Sequence, residues 1–200
     1  MPEIEYDFFS FLNELQKTKR YWEYDEAFSE SVSEHTYKLI VMVDKFFDVL
    51  KLDLDYRKCI KMAMYHDLGE VGMNSDIDAY KASKDKNLKA SKKETESKKV
   101  LKISQRYDSE EIYEIFREYE EKLTQEAKFV NAVDKLETRI HCLGVEADLK
   151  YADFFVTHID DAIRNFPKLM PFYRVLKLKM KENFEERGRE RKEEYDLVFN

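Results

Sequence analysis

Only four glycines and three prolines occur among the 200 residues of the chain. These two residue types interrupt helices most strongly, because glycine loses the most backbone entropy and proline lacks an amide hydrogen. The long segments between them are rich in Glu, Lys, Leu, Ala and Met, which favour helices. The sequence therefore predicts an all-α fold built from long helices.

The hydrophobic content of the chain is high enough for a substantial core. Hydrophobic residues make up 43% of the sequence and aromatic residues 14%, and the length suits one domain. We expect a single domain over residues 1–200, with a core over about 20–145 and C-terminal helices over about 150–195 that pack on it or at a dimer interface. Aromatic residues near both ends favour a homodimer.

Charge and cysteine usage exclude several classes of protein. The formal net charge is −7, whereas a protein that binds nucleic acid polymers needs a basic footprint. No window approaches about eighteen consecutive apolar residues, and the N-terminus lacks a signal-peptide pattern, so we expect neither a membrane span nor export. Cys59 and Cys142 lie in helical apolar patterns without CxxC spacing, and we interpret them as reduced core thiols of a cytoplasmic protein.

Helical periodicity predicts where the helices lie. Apolar residues recur at three- and four-residue spacing after Ser31 and Ser33, either of which can cap a helix that ends near Leu50. The predicted helices span about residues 4–17, 31–50, 55–66, 109–123, 124–144 and 153–164, and a charged helix runs to about 195. Between Gly69 and Asn87 the pattern is irregular and predicts a loop with room for one short helical turn.

Lysine dominates residues 81–102, with nine lysines against three acidic residues. Such a run is usually a solvated helix face. The second interpretation is that the positive charge attracts phosphate at the mouth of a site. The sequence leaves both interpretations open.

His66 and Asp67 are adjacent at the end of an apolar run, and Gly69 follows directly after Leu68. Neighbouring residues on an α-helix point about 100° apart, so both can face one ion only where the helix ends or is distorted. The pair therefore indicates a metal site at a helix end.

His35 and Asp134 each lie alone on an otherwise apolar helical face. His35 could be a hydrogen-bonded core residue, and Asp134 could pair with Lys135 or Arg139. However, burying an unpaired carboxylate costs on the order of several kcal/mol. Buried carboxylates are therefore normally paired or bound to metal. Together with the His-Asp pair, these two residues form a candidate set of two histidines and two aspartates on three helices.

The motifs around these residues resemble those of the HD-domain metal-dependent phosphohydrolases. Residues 30–36 read ESVSEHT, residues 65–70 read YHDLGE and residues 132–136 read AVDKL. They are similar to the family's opening helix, its H-D-x-x-E step and its closing aspartate helix. The nearest branch is the bacterial 5′-deoxynucleotidases and their small relatives. The resemblance implies a helical bundle with the metal site between core helices.

The resemblance also implies a ligand set. His35, His66, Asp67 and Asp134 would hold one divalent cation, and mixed imidazole and carboxylate ligands suit Mn, Co, Fe, Ni or Zn. Two-metal relatives take further histidines from the region between the central pair and the last aspartate, where this chain has none. The remaining residues, His141 and His158, are interpreted as ordinary structural histidines.

Further residues correspond to the family's catalytic and substrate-binding positions. Glu70 matches the glutamate that orients the attacking water or moves protons, and Arg20 matches an arginine that binds the substrate phosphate. The family places Trp directly after that arginine, whereas Tyr21 and then Trp22 follow here, which puts deoxyribose selectivity in question. Asp76 resembles a further catalytic aspartate, although Ser precedes it where the family has Gly.

These features predict a metal-dependent phosphohydrolase that removes phosphate from nucleoside 5′-monophosphates, with 5′-deoxynucleotidase activity the specific form, by attack of a metal-activated water. One alternative keeps the metal site and changes the substrate to another phosphorylated small molecule or a nucleoside polyphosphate. A second alternative is a helical scaffold in which the metal site has no catalytic role.

Overall fold

The computed structural model describes residues 2–20, 29–72, 85–144 and 159–186, which form a helical bundle with a small sheet. The helices are α1 (Pro2–Phe11), α2 (Asn13–Lys17), α3 (Val32–Leu50), α4 (Tyr56–Tyr65), α5 (Lys86–Arg106), α6 (Glu110–Glu121), α7 (Gln125–Gly144), α8 (Asp160–Asn165) and α9 (Met170–Glu186). Short 3-10 helices lie at Leu68–Glu70 and Pro167–Leu169, and the strands are β1 (Lys19–Arg20) and β2 (Glu30–Ser31). The predicted all-α class is confirmed.

Helix α3 begins at a complete capping box. The Ser31 hydroxyl accepts a hydrogen bond from the Glu34 amide at 3.1 Å, and the Glu34 carboxylate accepts one from the Ser31 amide at 2.6 Å. Ser31 is therefore the cap, and not Ser33. At the other end Lys51 adopts a left-handed conformation with φ 44°. The capping box fixes the first turn of the helix, in which His35 lies.

The main core lies between α3, α4 and α7. Leu39 from α3, Met62 from α4 and Val133 from α7 are fully buried there. Helices α8 and α9 add residues such as Ile163 and Tyr173 to the same core. The described C-terminal helices thus pack on the helices that carry the metal-site candidates, while the assignment of all 200 residues to one domain stays a prediction.

A two-stranded antiparallel sheet joins the chain before α3 to the start of that helix. Lys19 pairs with Ser31, and Arg20 pairs with Glu30. The amide of Val32 also donates a hydrogen bond to the carbonyl of Thr18 at 2.9 Å. This pairing holds Arg20 beside the N-terminus of α3.

Helix α5 packs against α6 and against the 3-10 turn at Leu68–Glu70. A second apolar cluster lies beneath it, and its buried members are Leu15, Val32, Leu68, Val100, Ile112 and Phe116. The lysine-rich segment is therefore not only a solvated face, because Lys99 Nζ donates a hydrogen bond to the carbonyl of Val71 at 3.3 Å.

Some of the remaining sequence predictions concern residues that the structure describes, and others fall outside them. Cys59 and Cys142 are both free and buried, as predicted. None of the helices in the described part of the chain has the length and apolar character that a membrane span requires. His158 and the end of the predicted charged helix, residues 187–195, lie outside the described residues.

Candidate metal centre

Helix α4 ends at Tyr65, directly before the adjacent residues His66 and Asp67. His66 caps the helix with φ −59° and ψ −35°, and Asp67 leaves helical geometry with φ −105° and ψ 11°. The 3-10 turn at Leu68–Glu70 then redirects the chain. This break brings Oδ2 of Asp67 to 3.3 Å from Nε2 of His66.

Four side chains from three segments converge at this helix end. Nε2 of His35 lies 3.1 Å from Nε2 of His66 and 3.3 Å from Oδ1 of Asp134. Oδ2 of Asp67 lies 3.7 Å from the same nitrogen of His35. We call His35, His66, Asp67 and Asp134 the four-residue cluster. The structure thus brings together all four residues that the sequence singled out as metal ligands.

Two carboxylate oxygens in the cluster lack hydrogen-bond partners. Oδ2 of Asp67 and Oδ1 of Asp134 are buried, and neither receives a hydrogen bond from any described residue. A buried carboxylate oxygen without a donor is costly unless a cation compensates it. The donor set of two imidazole nitrogens and two carboxylate oxygens therefore fits a divalent cation.

Both histidines are oriented by hydrogen bonds at Nδ1. Nδ1 of His35 donates to the Glu137 carboxylate at 2.5 Å, and Nδ1 of His66 donates to the carbonyl of Ala63 at 3.0 Å. These bonds place the proton on Nδ1 in the neutral ring, which leaves the lone pair of Nε2 directed into the cluster. This is the arrangement that a metal-binding histidine needs.

The electrostatic environment favours positive charge inside the cluster. Burial and the nearby Arg20 guanidinium lower the pKa of His35, but the carboxylates of Asp134 and Glu137 outweigh them and raise it to about 9. Burial opposes ionisation of Asp67, yet the neighbouring His66 holds the pKa of its carboxyl well below the usual range.

Tyr119 and Lys135 hold the second oxygen of Asp134. The Tyr119 hydroxyl donates to Oδ2 at 3.0 Å, and Lys135 Nζ donates to the same oxygen at 2.9 Å. Burial and then the charge of Asp134 raise the pKa of Tyr119, so the phenol keeps its proton and remains a donor. The sequence had offered a lysine pair or a metal as alternatives for Asp134, and the structure allows both at once because each uses a different oxygen.

An ion-pair network lies behind His35. Lys38 Nζ contacts the carboxylates of Glu30 at 2.5 Å and Glu137 at 2.6 Å, and Nδ1 of His141 lies 3.2 Å from the same ammonium. Glu30, His35 and Glu137 form a second acidic group with metal-like spacing. However, Lys38 contacts both carboxylates and Arg20 contacts that of Glu30, so side-chain cations already occupy this group and it acts as support for His35.

Arg20 lies at the edge of the four-residue cluster. Its Nη1 is 3.1 Å from the Glu30 carboxylate and its Nε is 3.9 Å from Oδ2 of Asp67. The side chain is 13% exposed. Tyr21, Trp22 and Asp76, also predicted for the site, lie outside the described residues.

Glu70 lies at the end of the 3-10 turn that follows the His-Asp pair. Its amide donates a hydrogen bond to the carbonyl of Asp67 at 3.0 Å, and its carboxylate lies 3.3 Å from Lys92 Nζ on α5. The sequence predicted Glu70 as a catalytic residue and gave no role to Lys92. Lys92 carried no signal beyond its place in the lysine-rich segment, because its packing depends on the fold of α5.

Glu137 and Tyr119 are the other functional candidates that sequence reasoning missed. Glu137 follows Asp134 by one helical turn on the same face of α7, and this spacing was the available signal. Tyr119 comes from α6, and its meeting with Asp134 depends on how the two helices pack.

Comparison with known proteins identifies the family. The HD domain family matches residues 12–163, a range that includes the whole four-residue cluster. The chain belongs to the HD domain family.

Several curated relatives carry one name. The chain is 32% identical over 142 residues to the 5′-deoxynucleotidase HDDC2 of Dictyostelium discoideum, which covers 66% of this chain and 72% of that protein. It is 32% identical to the human 5′-deoxynucleotidase HDDC2, where the alignment covers 54% of this chain and 50% of the human protein. The alignment thus spans about half the length of the human relative.

A solved structure shares the fold. A conserved hypothetical protein from Pyrococcus furiosus superposes with a TM-score of 0.62 at 24% identity, covering 88% of this chain and 98% of that one. At this identity the likeness establishes the common fold.

Proposed function

We propose that this protein is a metal-dependent phosphomonoesterase that acts on nucleoside 5′-monophosphates, with 5′-deoxyribonucleotides as its preferred substrates. One observation carries the proposal: two buried carboxylate oxygens without donors, on Asp67 and Asp134, meet the Nε2 atoms of two pre-oriented histidines. Structural ion pairs would satisfy these oxygens with protein donors, whereas this arrangement leaves them for a cation.

The cluster residues His35, His66, Asp67 and Asp134 would hold one divalent cation. When bound, such a cation would act as a Lewis acid toward a phosphoryl oxygen. It would also lower the pKa of a water bound to it toward neutrality. The donor set is compatible with Mn, Co, Fe, Ni or Zn.

Other residues of the chain perform the remaining tasks. Arg20 binds the substrate phosphate, because a guanidinium offers two parallel donors to phosphate oxygens. Glu70 takes a proton from the attacking water, a task that suits a carboxylate three residues beyond the metal-binding Asp67. We assign Asp76 to catalysis and Tyr21 and Trp22 to the nucleoside on the family resemblance.

The names of the relatives support the substrate class. The Dictyostelium and human proteins are both 5′-deoxynucleotidases by name, and the chain shares the HD domain with them. A cytoplasmic location and a homodimeric state remain predictions from the sequence.

The test is phosphate release from ribo- and deoxyribonucleoside mono-, di- and triphosphates, with Mn, Co, Fe, Ni, Zn or Mg supplied to metal-stripped protein. We expect release from monophosphates with at least one of the first five metals, and greater release from the deoxy forms. Asp67→Asn should abolish release and reduce bound metal. The matched control is Asp161→Asn, which changes an exposed aspartate paired with Arg164.

Two other results would redirect the assignment. Release from triphosphates alone would indicate a nucleoside polyphosphate hydrolase. Stoichiometric metal binding without release from any phosphorylated compound would favour the scaffold alternative, in which the ion has a structural role.

A further inference from the structure

A charged pair on α5 lies directly beneath the turn that carries Glu70. Gly69 packs so closely against this helix that a Cβ built on it would lie 2.8 Å from Cβ of Glu96 and 3.0 Å from its Cα. The backbone of the 3-10 turn therefore rests on α5 at the position of Glu96. Helix α5 thus limits how closely the turn that follows the metal-binding pair can approach it.

Lys92 joins the side chains of the two acidic residues at this contact. Its Nζ lies 3.3 Å from Oε1 of Glu70 and 3.5 Å from Oε1 of Glu96. Lys92 and Glu96 are one turn apart on α5, and their side chains are 21% and 15% exposed. The ammonium is therefore held between a carboxylate of its own helix and the carboxylate of Glu70.

The buried position of Glu96 is unfavourable for folding. Oε1 of Glu96 is buried and receives no hydrogen bond from any described residue. Burial raises the pKa of Glu96, Lys92 lowers it, and the negative charges of Glu70 and Asp67 raise it again, so that the resulting pKa is about 7. Burial lowers the pKa of Lys92, but Glu70 and Glu96 outweigh it, so the side chain stays charged. A buried ion pair that is only partly hydrogen-bonded adds little to the free energy of unfolding. The contact of Lys92 with Glu70 therefore points to a role other than stability.

We propose that Lys92 is a positioning residue for Glu70, with Glu96 fixing Lys92 from the opposite side. The proposal rests on the proposed function, in which Glu70 is the proton acceptor. A long glutamate side chain at the end of a turn has several accessible rotamers, and a fixed ammonium selects the one that it contacts. Lys92 then contributes to the rate by keeping one carboxylate in place, without touching the substrate.

A double-mutant cycle on kcat tests this assignment. We expect Lys92→Met to lower kcat by about tenfold to a hundredfold with KM changed less than about twofold, because misplacement of a catalytic group by about 1 Å has effects of this size. In a Glu70→Gln background the same substitution should change kcat by less than about twofold, because the group it positions is gone. Lys92→Arg should restore most of kcat.

The control is Lys93→Met. Lys93 is the next residue on α5, and it contacts Glu120 through that residue's carboxylate at 3.3 Å and carbonyl at 3.0 Å. Its replacement removes the same charge from the same helix without touching Glu70, and kcat should stay close to the wild-type value. Metal content measured for each variant separates an effect on Glu70 from loss of the cation.

Lys92→Met leaves Glu96 without its partner and could prevent folding. The variant Lys92→Met/Glu96→Gln removes one charge of each sign, and it should fold and show the same loss of kcat. An equal loss of kcat in the wild-type and Glu70→Gln backgrounds, or full activity of the folded double variant, would overturn the role of Lys92. If Glu70→Gln itself leaves kcat unchanged, the assignment of Glu70 in the proposed function is wrong instead.

Discussion

The Nδ1 atom of His35 donates a hydrogen bond of 2.5 Å to the carboxylate of Glu137. Both side chains are buried, at 0% and 2% exposure, so water cannot replace the bond. The contact decides which nitrogen of His35 faces the four-residue cluster, and a carboxylate at this position makes the ring a stronger ligand.

Glu137→Gln should therefore weaken metal binding by about tenfold to a hundredfold. The amide can still accept the hydrogen bond but no longer carries the charge that increases the basicity of His35. Competition with a chelator of known affinity measures the change. Glu126→Gln alters another glutamate of α7 that binds the Asp55 amide and should leave the affinity unaltered; a similar loss in both variants would contradict the role of Glu137.

Tyr119→Phe should weaken metal binding less than Glu137→Gln. It removes one donor from Oδ2 of Asp134, a bond worth about 0.5–1.5 kcal/mol, while Lys135 continues to hold the same oxygen. Calorimetric metal titration gives the difference. Tyr113→Phe is the control on the same helix, because its hydroxyl lies 3.4 Å from Ser97. An unchanged affinity in Tyr119→Phe would mean that Lys135 alone suffices.

Glu96→Gln should stabilise the metal-free protein at pH 8 and have a smaller effect at pH 5. The folded pKa of Glu96, about 7, lies above its ordinary value, so the folded state binds an extra proton between these values and loses stability as the pH rises through 7. The gain at pH 8 should be about 1 kcal/mol, since Lys92 loses a partner at the same time.

Urea unfolding of metal-free protein at the two pH values measures this difference. Glu94→Gln is the control, because the pKa of the exposed Glu94 is lowered by its hydrogen bond to Lys98 and its neutralisation should bring no gain at pH 8. A stability difference between Glu96→Gln and wild type that is the same at pH 5 and pH 8 would show that Glu96 has an ordinary pKa.

Gly69→Ala should lower both stability and activity. The new methyl group would meet the backbone and Cβ of Glu96 within 3.0 Å, and the turn would have to move away from α5 at a cost of about 1–3 kcal/mol. Gly72→Ala is a useful comparison. A methyl group on residue 72 would meet no atom within 4 Å, but the backbone there has φ of +66°. Gly72→Ala should therefore reduce stability through backbone strain alone, without a comparable loss of kcat.

Removal of metal by a chelator should lower the melting temperature. A ligand present at about a thousand times its Kd adds roughly 4 kcal/mol to the free energy of unfolding. In Asp67→Asn/Asp134→Asn the two buried oxygens without donors lose their charge, so the variant should melt at the same temperature with and without metal. Persistent dependence on metal in that variant would place the ion elsewhere.

The ligand candidates were accessible from the sequence because each breaks a local pattern. His35 and Asp134 interrupt apolar helical faces, and the adjacent His66 and Asp67 require a helix end. Their supporting residues break no such pattern. Glu137 lies three residues after Asp134 on the same face of α7, which is a weak signal because charged residues are common along that helix, and Lys92 is one lysine among several. The packing of α5 and α7 is what distinguishes the two residues clearly from their neighbours.

The fold class was accessible for a related reason. Scarce glycine and proline and a capping box at Ser31 are local properties of the chain. The small sheet was not predicted, because each strand has two residues and depends on the other for its hydrogen bonds. That sheet determines where Arg20 lies.

Glu30 connects Arg20, at the edge of the four-residue cluster, with Lys38, which lies behind His35. One oxygen of its carboxylate contacts Arg20 at 3.1 Å, and the other contacts Lys38 at 2.5 Å, whose ammonium also contacts Glu137 behind His35. An anion that draws Arg20 away from Glu30 must alter the charge balance on which His35 depends. Anion and cation binding are then thermodynamically linked, and each should change the affinity for the other by the same factor.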